Sequence, residues 1–556
     1  MDILKKNDEI ELLIEDFSSE GDGIGHYGAS NYTLFVKDTV IGDRILVRVM
    51  KTKKNYGYAR MIKLLEPSPD RVKPVCPNAR QCGGCQLQHV SYACQLAFKE
   101  NKIKSCLQRI GGFGEDILSR MEPILGMENP YFYRNKAQFP VGRDKDGRVV
   151  LGFYARHSHQ IIGSERCYLQ GIEIKKKGKS AEKKEWDGGI SQTNKVREKE
   201  GVIKGAECRK DAECKITDEY AGKASAADGA GEPSEEAGGE NNFTTQNTFM
   251  REQSGEKTVE EKWLNTNEQI MSIVCDFLEK YNISVYDEQT HKGLVRHVLT
   301  RAGFHTGEQM VCLILNGKKL PYADKLVEVL SKVDGMKSIS LNVNTERTNV
   351  ILGSEGEVLW GEPYITDYIG DIRFQISPQS FFQVNPVQTE RLYQTALDYA
   401  GLTGNETVWD LYCGIGTISL FLAQKAKRVY GVEIVPKAIE DAKRNAALNH
   451  ITNAEFFVGA AEKVVPRKLA EWGEEGRVDV VVVDPPRKGC DAVLLDAILK
   501  TAPNRVVYVS CDPATLARDL KILCEGGYEI KRWRGCDMFG QSGHVECVTL
   551  LQRKDI

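Results

Sequence analysis

The last third of the chain alternates short, apolar, β-branched runs with stretches of helical spacing, and this alternation restricts the fold more than any other feature. A strand followed by a helix, repeated several times, builds a parallel sheet with helices on both faces. We therefore predict a doubly wound α/β domain over residues 371–556. The strand and helix pairs are 407–410 with 418–425, 428–433 with 436–449, 478–484 with 492–500, and 505–510 with 513–523.

Glycines and an acid follow the first two of these strands, at the sheet edge where open α/β folds bind ligands. Gly414 and Gly416 lie in the loop that opens the first helix, where they let a ligand approach the backbone. Glu433 ends the next strand and suits a ribose diol, but the third glycine of a pyrophosphate loop is missing. S-adenosylmethionine, which has a ribose and no phosphate, fits this pattern. A plain strand-to-helix turn is the alternative.

The third strand ends in Asp484, which is followed by Pro485, Pro486 and Arg487. The carboxylate can accept hydrogen bonds, and the rigid prolines can form a wall against a flat base. Methyltransferases that act on amino groups carry a similar loop, so this motif leaves the target atom open.

The fourth strand leads to Cys511, directly before Asp512 and Pro513, which are typical of a helix N-cap and first helical residue. Backbone N–H groups at a helix start favour a thiolate, although the Asp512 carboxylate opposes it. A thiolate that adds to C6 of uracil makes C5 nucleophilic enough to take a methyl group. We predict that Cys511 is a nucleophile; a buried structural cysteine is the alternative.

Glu546 stands at the entrance of the last apolar run of the chain, residues 547–551. A carboxylate there can remove the proton from C5 after methyl transfer, which lets the thiolate leave. On the residues alone, Glu546 is one acid among many, and the nearby His544 is interpreted as structural.

Residues 8–65 contain short strands at 10–17, 33–36, 45–50 and 58–65, which predict a small β-barrel. Gly21, Gly23, Gly25 and Gly28 are assigned to the turns between them. A basic and aromatic run suits RNA phosphates and bases; a solvated turn is the alternative. This run comprises Lys51, Lys53, Lys54, Tyr56, Tyr58 and Arg60.

Three cysteines share one loop, with the spacing Cys76-x5-Cys82-x2-Cys85 and glycines that allow a tight wrap. This spacing indicates a metal site, and four thiolates suit either zinc or an iron–sulfur cluster. Cys167 is the best candidate for the fourth ligand, which must come from a distance.

The chain has 556 residues, enough for several cores, and a formal net charge of −3. This charge excludes a protein that coats nucleic acid by bulk charge, so any RNA contact must come from local basic patches. The amino terminus lacks an apolar signal region and no stretch is long enough to span a bilayer, so we expect a cytoplasmic protein without a membrane partner. Residues 173–262 are rich in lysine, glycine, serine and glutamate and predict a mobile, low-complexity insertion.

Together these motifs resemble the RNA 5-methyluridine methyltransferases, and specifically the iron–sulfur branch that methylates C5 of uracil in 23S ribosomal RNA. The resemblance covers nearly the whole chain except residues 173–262. It implies an amino-terminal TRAM domain, which is an oligonucleotide-binding barrel, a middle α+β domain with a [4Fe-4S] cluster, and a carboxyl-terminal, Rossmann-like domain that binds S-adenosylmethionine. The implied ranges are 1–66 for TRAM, 67–172 and 263–370 for the middle domain, and 371–556 for the methyltransferase domain.

The resemblance also implies roles for single residues. Cys511 corresponds to the nucleophile and Glu546 to the general base, and a Phe-Phe-Gln-Val-Asn segment at 381–385 matches a family motif. Thr417 departs from the asparagine of some members. Cofactor contacts are implied for Gln383, Tyr412, Gly414, Gly416, Thr417, Glu433 and Asp484, substrate contacts for Phe381, Pro485 and Pro486, and cluster ligands for Cys76, Cys82, Cys85 and Cys167.

The transfer-RNA branch of this family resembles the catalytic domain but typically lacks the barrel and the cysteine cluster. We therefore expect a monomeric enzyme whose partner is 23S ribosomal RNA. The alternatives are a tRNA uracil-C5 methyltransferase, an RNA cytosine-C5 methyltransferase, and a non-catalytic iron–sulfur protein that binds RNA and senses iron or redox state. Cytosine enzymes usually carry a cysteine directly after Asp-Pro-Pro, where this chain has Arg487.

Overall fold

The computed structural model describes residues 4–156, 158–171, 266–473 and 478–554. The predicted insertion, residues 173–262, lies outside these ranges. The described residues group into one compact unit. None of the helices in this part of the chain is long and apolar enough to cross a membrane.

Residues 9–66 form a curled sheet of six strands. The strands are β1 (Glu9–Leu13), β2 (Asp16–Phe17), β3 (Gly23–Tyr27), β4 (Tyr32–Val36), β5 (Arg44–Thr52) and β6 (Tyr56–Glu66). They are ordered β1-β5-β6-β4-β3-β2. Just after β1, the Glu15 amide donates to the Ile24 carbonyl in β3 (2.8 Å), so the sheet curls back on itself. Leu34 and Val47 pack inside with full burial, which stabilises the sheet by roughly 1.5–3 kcal/mol per side chain.

One strand of this sheet differs from the sequence prediction. Gly23 and Gly25, which the sequence assigns to turns, lie inside β3. A Cβ at Gly23 would lie 2.1 Å from Thr39 Oγ1, and a Cβ at Gly25 would lie 2.4 Å from the Leu13 carbonyl oxygen. These two glycines therefore permit close packing of neighbouring backbone and side chains, which is the usual reason for glycine within a strand.

A helical segment connects the first sheet to the second. It contains α1 (Tyr92–Arg109) and α2 (Glu115–Leu118), and strand β7 (Met121–Leu125) follows them. Ser91 caps α1 by accepting a hydrogen bond from the Cys94 amide (3.3 Å).

A second sheet of seven strands occupies the middle of the chain. Its strands are β8 (Lys136–Arg143), β9 (Val149–Tyr154), β10 (Ile161–Gly163), β11 (Val295–Ala302), β12 (Gln309–Leu315), β13 (Met336–Val343) and β14 (Glu355–Gly361), in the order β10-β9-β8-β11-β12-β13-β14. Helices α3 (Thr266–Lys280) and α4 (Ala323–Leu330) cover one face. The other face, which includes Leu299 and Met310, shares a core with Phe374 and Phe382 of the following segment.

The carboxyl-terminal segment begins with the hairpin β15 (Ile365–Ile369) and β16 (Ile372–Ile376) and continues as an eight-stranded sheet ordered β19-β18-β17-β20-β21-β23-β22-β7. Buried cores lie on both faces of this sheet, as predicted for a doubly wound fold. The elements are α5 (Pro386–Ala400), β17 (Thr407–Leu411), α6 (Thr417–Ala423), β18 (Arg428–Glu433), α7 (Pro436–Leu448), β19 (Ala454–Val458), α8 (Ala461–Trp472), β20 (Val480–Val483), α9 (Ala492–Thr501), β21 (Arg505–Ser510), α10 (Pro513–Glu525), β22 (Tyr528–Cys536) and β23 (Glu546–Arg553).

Two features of this sheet do not follow the local sequence pattern. Strand β7 lies far before residue 371 but pairs with β22 at the sheet edge. Residue 371, at the predicted boundary, falls in the turn between β15 and β16. Periodicity reports the structure of adjacent residues and not the pairing of distant segments, so it could not reveal either feature.

Candidate active site

The carboxyl ends of four neighbouring parallel strands bring the predicted motifs to one edge of the sheet. Leu411 of β17 pairs with Val432 of β18 and with Val483 of β20. Val483 pairs in turn with Tyr508 of β21. The predicted site residues that end or directly follow these strands at this edge are Tyr412, Glu433, Asp484 and Cys511.

Glu546 reaches the same edge from the opposite direction. Strand β23 runs antiparallel to β21, and Ser510 pairs with Cys547. Cys511 and Glu546 are therefore the next residues along these two strands. Cys511 is half-buried, whereas Glu546 is only 3% exposed. The predicted nucleophile and base thus lie beside each other, although 35 positions separate them in the sequence.

Carboxyl groups dominate the electrostatics of this edge. Burial raises the pKa of Glu546 to about 8, and the Asp484 carboxylate contributes to that shift. Burial also raises the pKa of Asp484 to about 6 and that of Asp410 to about 7. The site therefore favours protonated acids or a positively charged ligand, and the sulfonium of S-adenosylmethionine is such a ligand.

The Cys511 thiol responds to the same charges. Burial is the largest cause that raises its pKa to about 11, and the Glu546 and Asp484 carboxylates add to the effect. The exposed Arg487 guanidinium lowers the pKa of the thiol. Asp512, as predicted, caps α10 by accepting hydrogen bonds from two amides of the first turn, and its charge raises the thiol pKa.

The glycine loop after β17 can hold a cofactor. Its backbone passes through left-handed conformations at Tyr412 (φ 72°), Gly414 (φ 56°) and Gly416 (φ 84°). The Glu433 carboxylate accepts hydrogen bonds from the Gly414 amide (3.3 Å) and the Val435 amide (2.9 Å). A Cβ at Gly414 would meet open space, and this space beside Glu433 is the candidate location for a ribose.

Two buried side chains near this loop, Tyr393 and Asp410, were not predicted as site residues. The Tyr393 hydroxyl is hydrogen-bonded to Thr417 Oγ1 (3.0 Å). Ser419 Oγ donates to one carboxylate oxygen of Asp410 (2.5 Å), and the other oxygen has no partner among the described residues. Asp410 was visible in the sequence as an acid at a strand end, whereas Tyr393 looks like an ordinary core residue of α5.

The Phe-Phe-Gln-Val-Asn segment lies just before α5, and its two phenylalanines point to different environments. Phe382 is buried in the core, whereas Phe381 is 69% exposed. Gln383 is buried, and its carbonyl accepts a hydrogen bond from Asn135 Nδ2 (3.1 Å). Asn385 caps α5. An exposed aromatic ring such as Phe381 is available to stack on an unpaired base.

The Asp-Pro-Pro loop presents one of its two prolines to solvent. Pro485 is buried, and Pro486 and Arg487 are exposed. The loop follows β20 directly, so it lies next to the loops that carry Tyr412 and Cys511. Contact between these prolines and a bound base stays a prediction.

The four predicted metal ligands line one cavity of about 360 Å³, together with Arg134, Arg166 and Lys136. Burial lowers the pKa of Lys136 to about 7. Burial raises the pKa of all four thiols, and that of Cys167 reaches about 12. Within the described ranges, no group of three or more histidine, cysteine or acidic side chains is arranged to hold a metal ion. The predicted ligands that line this cavity are Cys76, Cys82, Cys85 and Cys167.

Comparisons with known proteins bear on both ends of the chain. A TRAM domain model matches residues 4–62, and a model described as tRNA (Uracil-5-)-methyltransferase matches residues 364–554. The chain is 42% identical over 549 residues to an uncharacterized RNA methyltransferase of Clostridium tetani, which covers 99% of this chain and 97% of the relative. It is also 42% identical over 554 residues to one of Halalkalibacterium halodurans, with 99% and 98% covered.

A solved structure resembles the chain over almost its entire length. It is the tRNA (uracil-54, C5)-methyltransferase of Pyrococcus abyssi in complex with S-adenosyl-L-homocysteine. Its sequence is 25% identical, its TM-score is 0.64, and the match covers 97% of this chain and 99% of that chain. From these matches and from the arrangement of the sheet edge, we conclude that the chain belongs to the S-adenosylmethionine-dependent RNA uracil-5-methyltransferase family that carries a TRAM domain.

Proposed function

We propose that this protein transfers a methyl group from S-adenosylmethionine to C5 of a uridine in 23S ribosomal RNA, through a covalent bond between Cys511 and C6. The main support is the register between β21 and β23, which makes Cys511 and Glu546 neighbours at the ligand-binding edge. A nucleophile and a base at one site are what C5 methylation of uracil requires.

In the proposed reaction, the Cys511 thiolate adds to C6, and the electron pair of the C5–C6 double bond moves toward C5. When bound, S-adenosylmethionine would supply an electrophilic methyl group, which C5 accepts as the bond between that methyl carbon and the sulfonium sulfur breaks and leaves a neutral thioether. Glu546 then takes the proton from C5, the electron pair re-forms the double bond, and the bond between C6 and sulfur breaks. The Cys511 thiolate is thus regenerated, and the proton remains on the Glu546 carboxylate.

Replacement of the nucleophile tests the first step. Cys511→Ala is expected to abolish transfer of a labelled methyl group to RNA while cofactor binding, measured by calorimetry, stays close to wild type. Cys524→Ala is a matched control, because Cys524 is also a half-buried cysteine and lies on α10. Turnover by Cys511→Ala would refute the proposed chemistry, and failure of both variants would indicate a folding defect.

Replacement of the base tests the last step. Glu546→Gln is expected to accumulate a covalent protein–RNA adduct, because the methyl group can be transferred while release of the cysteine is slowed. The adduct is detected as a band of reduced mobility on a denaturing gel that Cys511→Ala does not produce. Failure to trap the adduct in the presence of cofactor and RNA would count against Glu546 as the base.

We also propose that the four cysteines around the 360 Å³ cavity hold a [4Fe-4S] cluster. The guanidinium groups of Arg134 and Arg166, which line the same cavity, can balance the negative charge of such a cluster. The cluster is structural in this proposal, because uracil methylation transfers no electron. Iron and sulfide analysis and visible absorption test the assignment; zinc in place of iron, or activity that follows the redox state, would contradict it.

A tRNA substrate is the second candidate. The Pyrococcus abyssi enzyme is a tRNA (uracil-54, C5)-methyltransferase, and its match covers 97% of this chain. A barrel at the amino end therefore does not by itself select ribosomal RNA. Mapping of 5-methyluridine in both RNA classes from cells that lack the protein separates the two. Loss from 23S ribosomal RNA supports the proposal, and loss from tRNA alone would replace it.

A further inference from the structure

The loop that leads into the proposed base has six of its nine carbonyls hydrogen-bonded by groups from other parts of the chain. We call residues 537–545, between β22 and β23, the base loop. From the start of α5, Gln388 Nε2 donates to the Asp537 carbonyl (3.1 Å) and Asn385 Nδ2 to the Met538 carbonyl (3.2 Å). Buried carbonyls need such partners, and this loop obtains most of them from side chains rather than from a neighbouring strand.

Residues between the first and the second sheet supply further donors to the base loop. Lys99 Nζ donates to the Phe539 carbonyl (3.0 Å) and Lys102 Nζ to the Gly543 carbonyl (2.9 Å). The Tyr133 hydroxyl donates to the Gly540 carbonyl (3.0 Å). Both lysines come from one face of α1, so this helix spans the loop from its beginning to its end.

A buried ion pair anchors the beginning of the base loop. Lys99 Nζ lies 2.5 Å from Asp537 Oδ1, and both side chains are fully buried. The Tyr92 hydroxyl donates to the second carboxylate oxygen of Asp537 (2.7 Å). A buried pair with these additional hydrogen bonds specifies one arrangement of the groups that it connects.

Gln541 connects the base loop to the segment that follows the cysteines. Its carbonyl accepts hydrogen bonds from the amides of Gln86 and Leu87 (3.0 Å each), the two residues directly after Cys85. Its side-chain oxygen accepts from Gln95 Nε2 (3.0 Å), and its amide donates to Gln95 Oε1 (3.1 Å). Gln541 has a φ of 68°, a conformation that costs a non-glycine residue about 1 kcal/mol and needs such support.

We propose that residues 85–102, which run from the last cysteine of the loop through most of α1, position the base loop so that Glu546 stays beside Cys511. This inference rests on the proposed function. Gln95, Lys99 and Lys102 are positioning residues, because they act through the base loop. Residues 85–102 thereby couple the cysteine cavity to the step in which the base removes the proton from C5.

Lys102→Met is the first test, with Lys104→Met as the matched control on the same helix. Lys102 is half-buried and donates to Gly543 and to Ser19 of the first sheet, so its loss should leave the fold intact. We expect kcat to fall about tenfold with little change in KM, together with accumulation of the covalent RNA adduct. Lys102→Arg, which keeps the donors, should restore most of the kcat.

Hydrogen exchange of the full-length protein provides a readout that does not depend on activity. In Lys102→Met, the amides of residues 537–545 should exchange faster while those of the sheet strand β21 stay protected. Cys85→Ser should likewise speed exchange of the amides of residues 537–545 and leave those of β21 protected, because it loosens the turn before Gln86 and Leu87. Lys99→Met is the more severe variant, since it leaves the Asp537 carboxylate buried without its cation.

The outcomes separate this inference from the proposed function. If Glu546→Gln traps the adduct but Lys102→Met and Cys85→Ser neither trap it nor increase exchange in the base loop, the positioning role is wrong. If Glu546→Gln itself traps no adduct, the assignment of the base fails first. Faster exchange throughout the molecule would mean that the variants only destabilise the fold, and this result would also overturn the inference.

Discussion

Glu546 combines deep burial with a neighbouring carboxylate, and this combination determines how the site should respond to pH. A carboxyl group with a pKa of about 8 is largely protonated at neutral pH. It can accept the C5 proton only in its ionised form. The fraction of competent enzyme should therefore increase as the pH rises through that pKa.

We expect the rate of product release to rise with pH and to level off above about 8. Asp484→Asn removes the carboxylate that contributes to the shift, so the midpoint should move to lower pH when S-adenosylmethionine is saturating. Glu433→Gln, also measured at saturating S-adenosylmethionine, is the control, because Glu433 is an acid of the same edge and is not among the causes that raise the pKa of Glu546. A midpoint that stays in place in Asp484→Asn would contradict the electrostatic argument.

The pKa of the Cys511 thiol is raised by the Asp512 carboxylate and lowered by the Arg487 guanidinium. Asp512→Asn keeps an oxygen that can cap α10 but removes the negative charge that raises the thiol pKa. Cys511 should then be alkylated faster by iodoacetamide near neutral pH, as measured by mass spectrometry of its peptide. Arg487→Met should have the opposite effect, because the guanidinium lowers the thiol pKa. Equal rates in the two variants would show that burial alone controls the thiol.

The turn from β17 into α6 shows how one element can serve both stability and binding. Gly416 caps α6 in a left-handed conformation, and a Cβ there would lie 3.2 Å from the Phe456 ring. Gly414 is also left-handed, but a Cβ there would meet open space. Gly416 is therefore required by packing, whereas Gly414 leaves room for a ligand.

We expect Gly416→Ala to lower the free energy of unfolding by more than about 1–2 kcal/mol, because it adds a clash to the left-handed backbone cost. Gly414→Ala should carry the backbone cost alone, but it should weaken S-adenosylmethionine binding because the methyl group enters the open space. Denaturant unfolding and calorimetric titration measure the two effects. A larger loss of stability in Gly414→Ala would contradict this division of roles.

Across the whole molecule, RNA binding must overcome a formal net charge of −3. The first sheet concentrates exposed lysines at 51, 53 and 54 next to an aromatic cluster. In that cluster the Phe35 ring lies 5.8 Å from Tyr56 and 5.7 Å from Tyr58, and Tyr58 is 39% exposed. This surface has the charge and the stacking groups that a single RNA strand requires.

Replacing these three lysines by alanine should weaken RNA binding uniformly across sequences and reduce the slope of log affinity against log salt by about 2. The measurement is a filter-binding titration at several salt concentrations. A triple variant with the same change in charge but elsewhere on the surface should leave the slope close to wild type. The lysines replaced in this control variant are Lys500, Lys521 and Lys531. Equal slopes for both triple variants would exclude a specific role for the first sheet.

Adjacent residues encode much of this fold and some of its site. The α/β pattern, the cap at Asp512 and the glycine loop depend on neighbours within a few positions, so spacing and propensity reveal them. The position of Cys511 at a strand end was predictable for the same reason. The assignment of Gly23 and Gly25 to turns was wrong, because their role depends on contacts with Thr39 and Leu13.

Other decisive features arise only when distant segments pair. Glu546 becomes a credible base because β23 lies antiparallel to β21, and residues 85–102 reach the base loop across more than 400 positions. Strand pairing and side-chain contacts between such segments leave no periodic signal in either one, because each segment looks like an ordinary strand, loop or helix. The chain pattern thus determines the kind of sheet and where its ligand edge lies. Tertiary packing decides which acid lies beside Cys511 and which lysines hold the loop that leads to that acid.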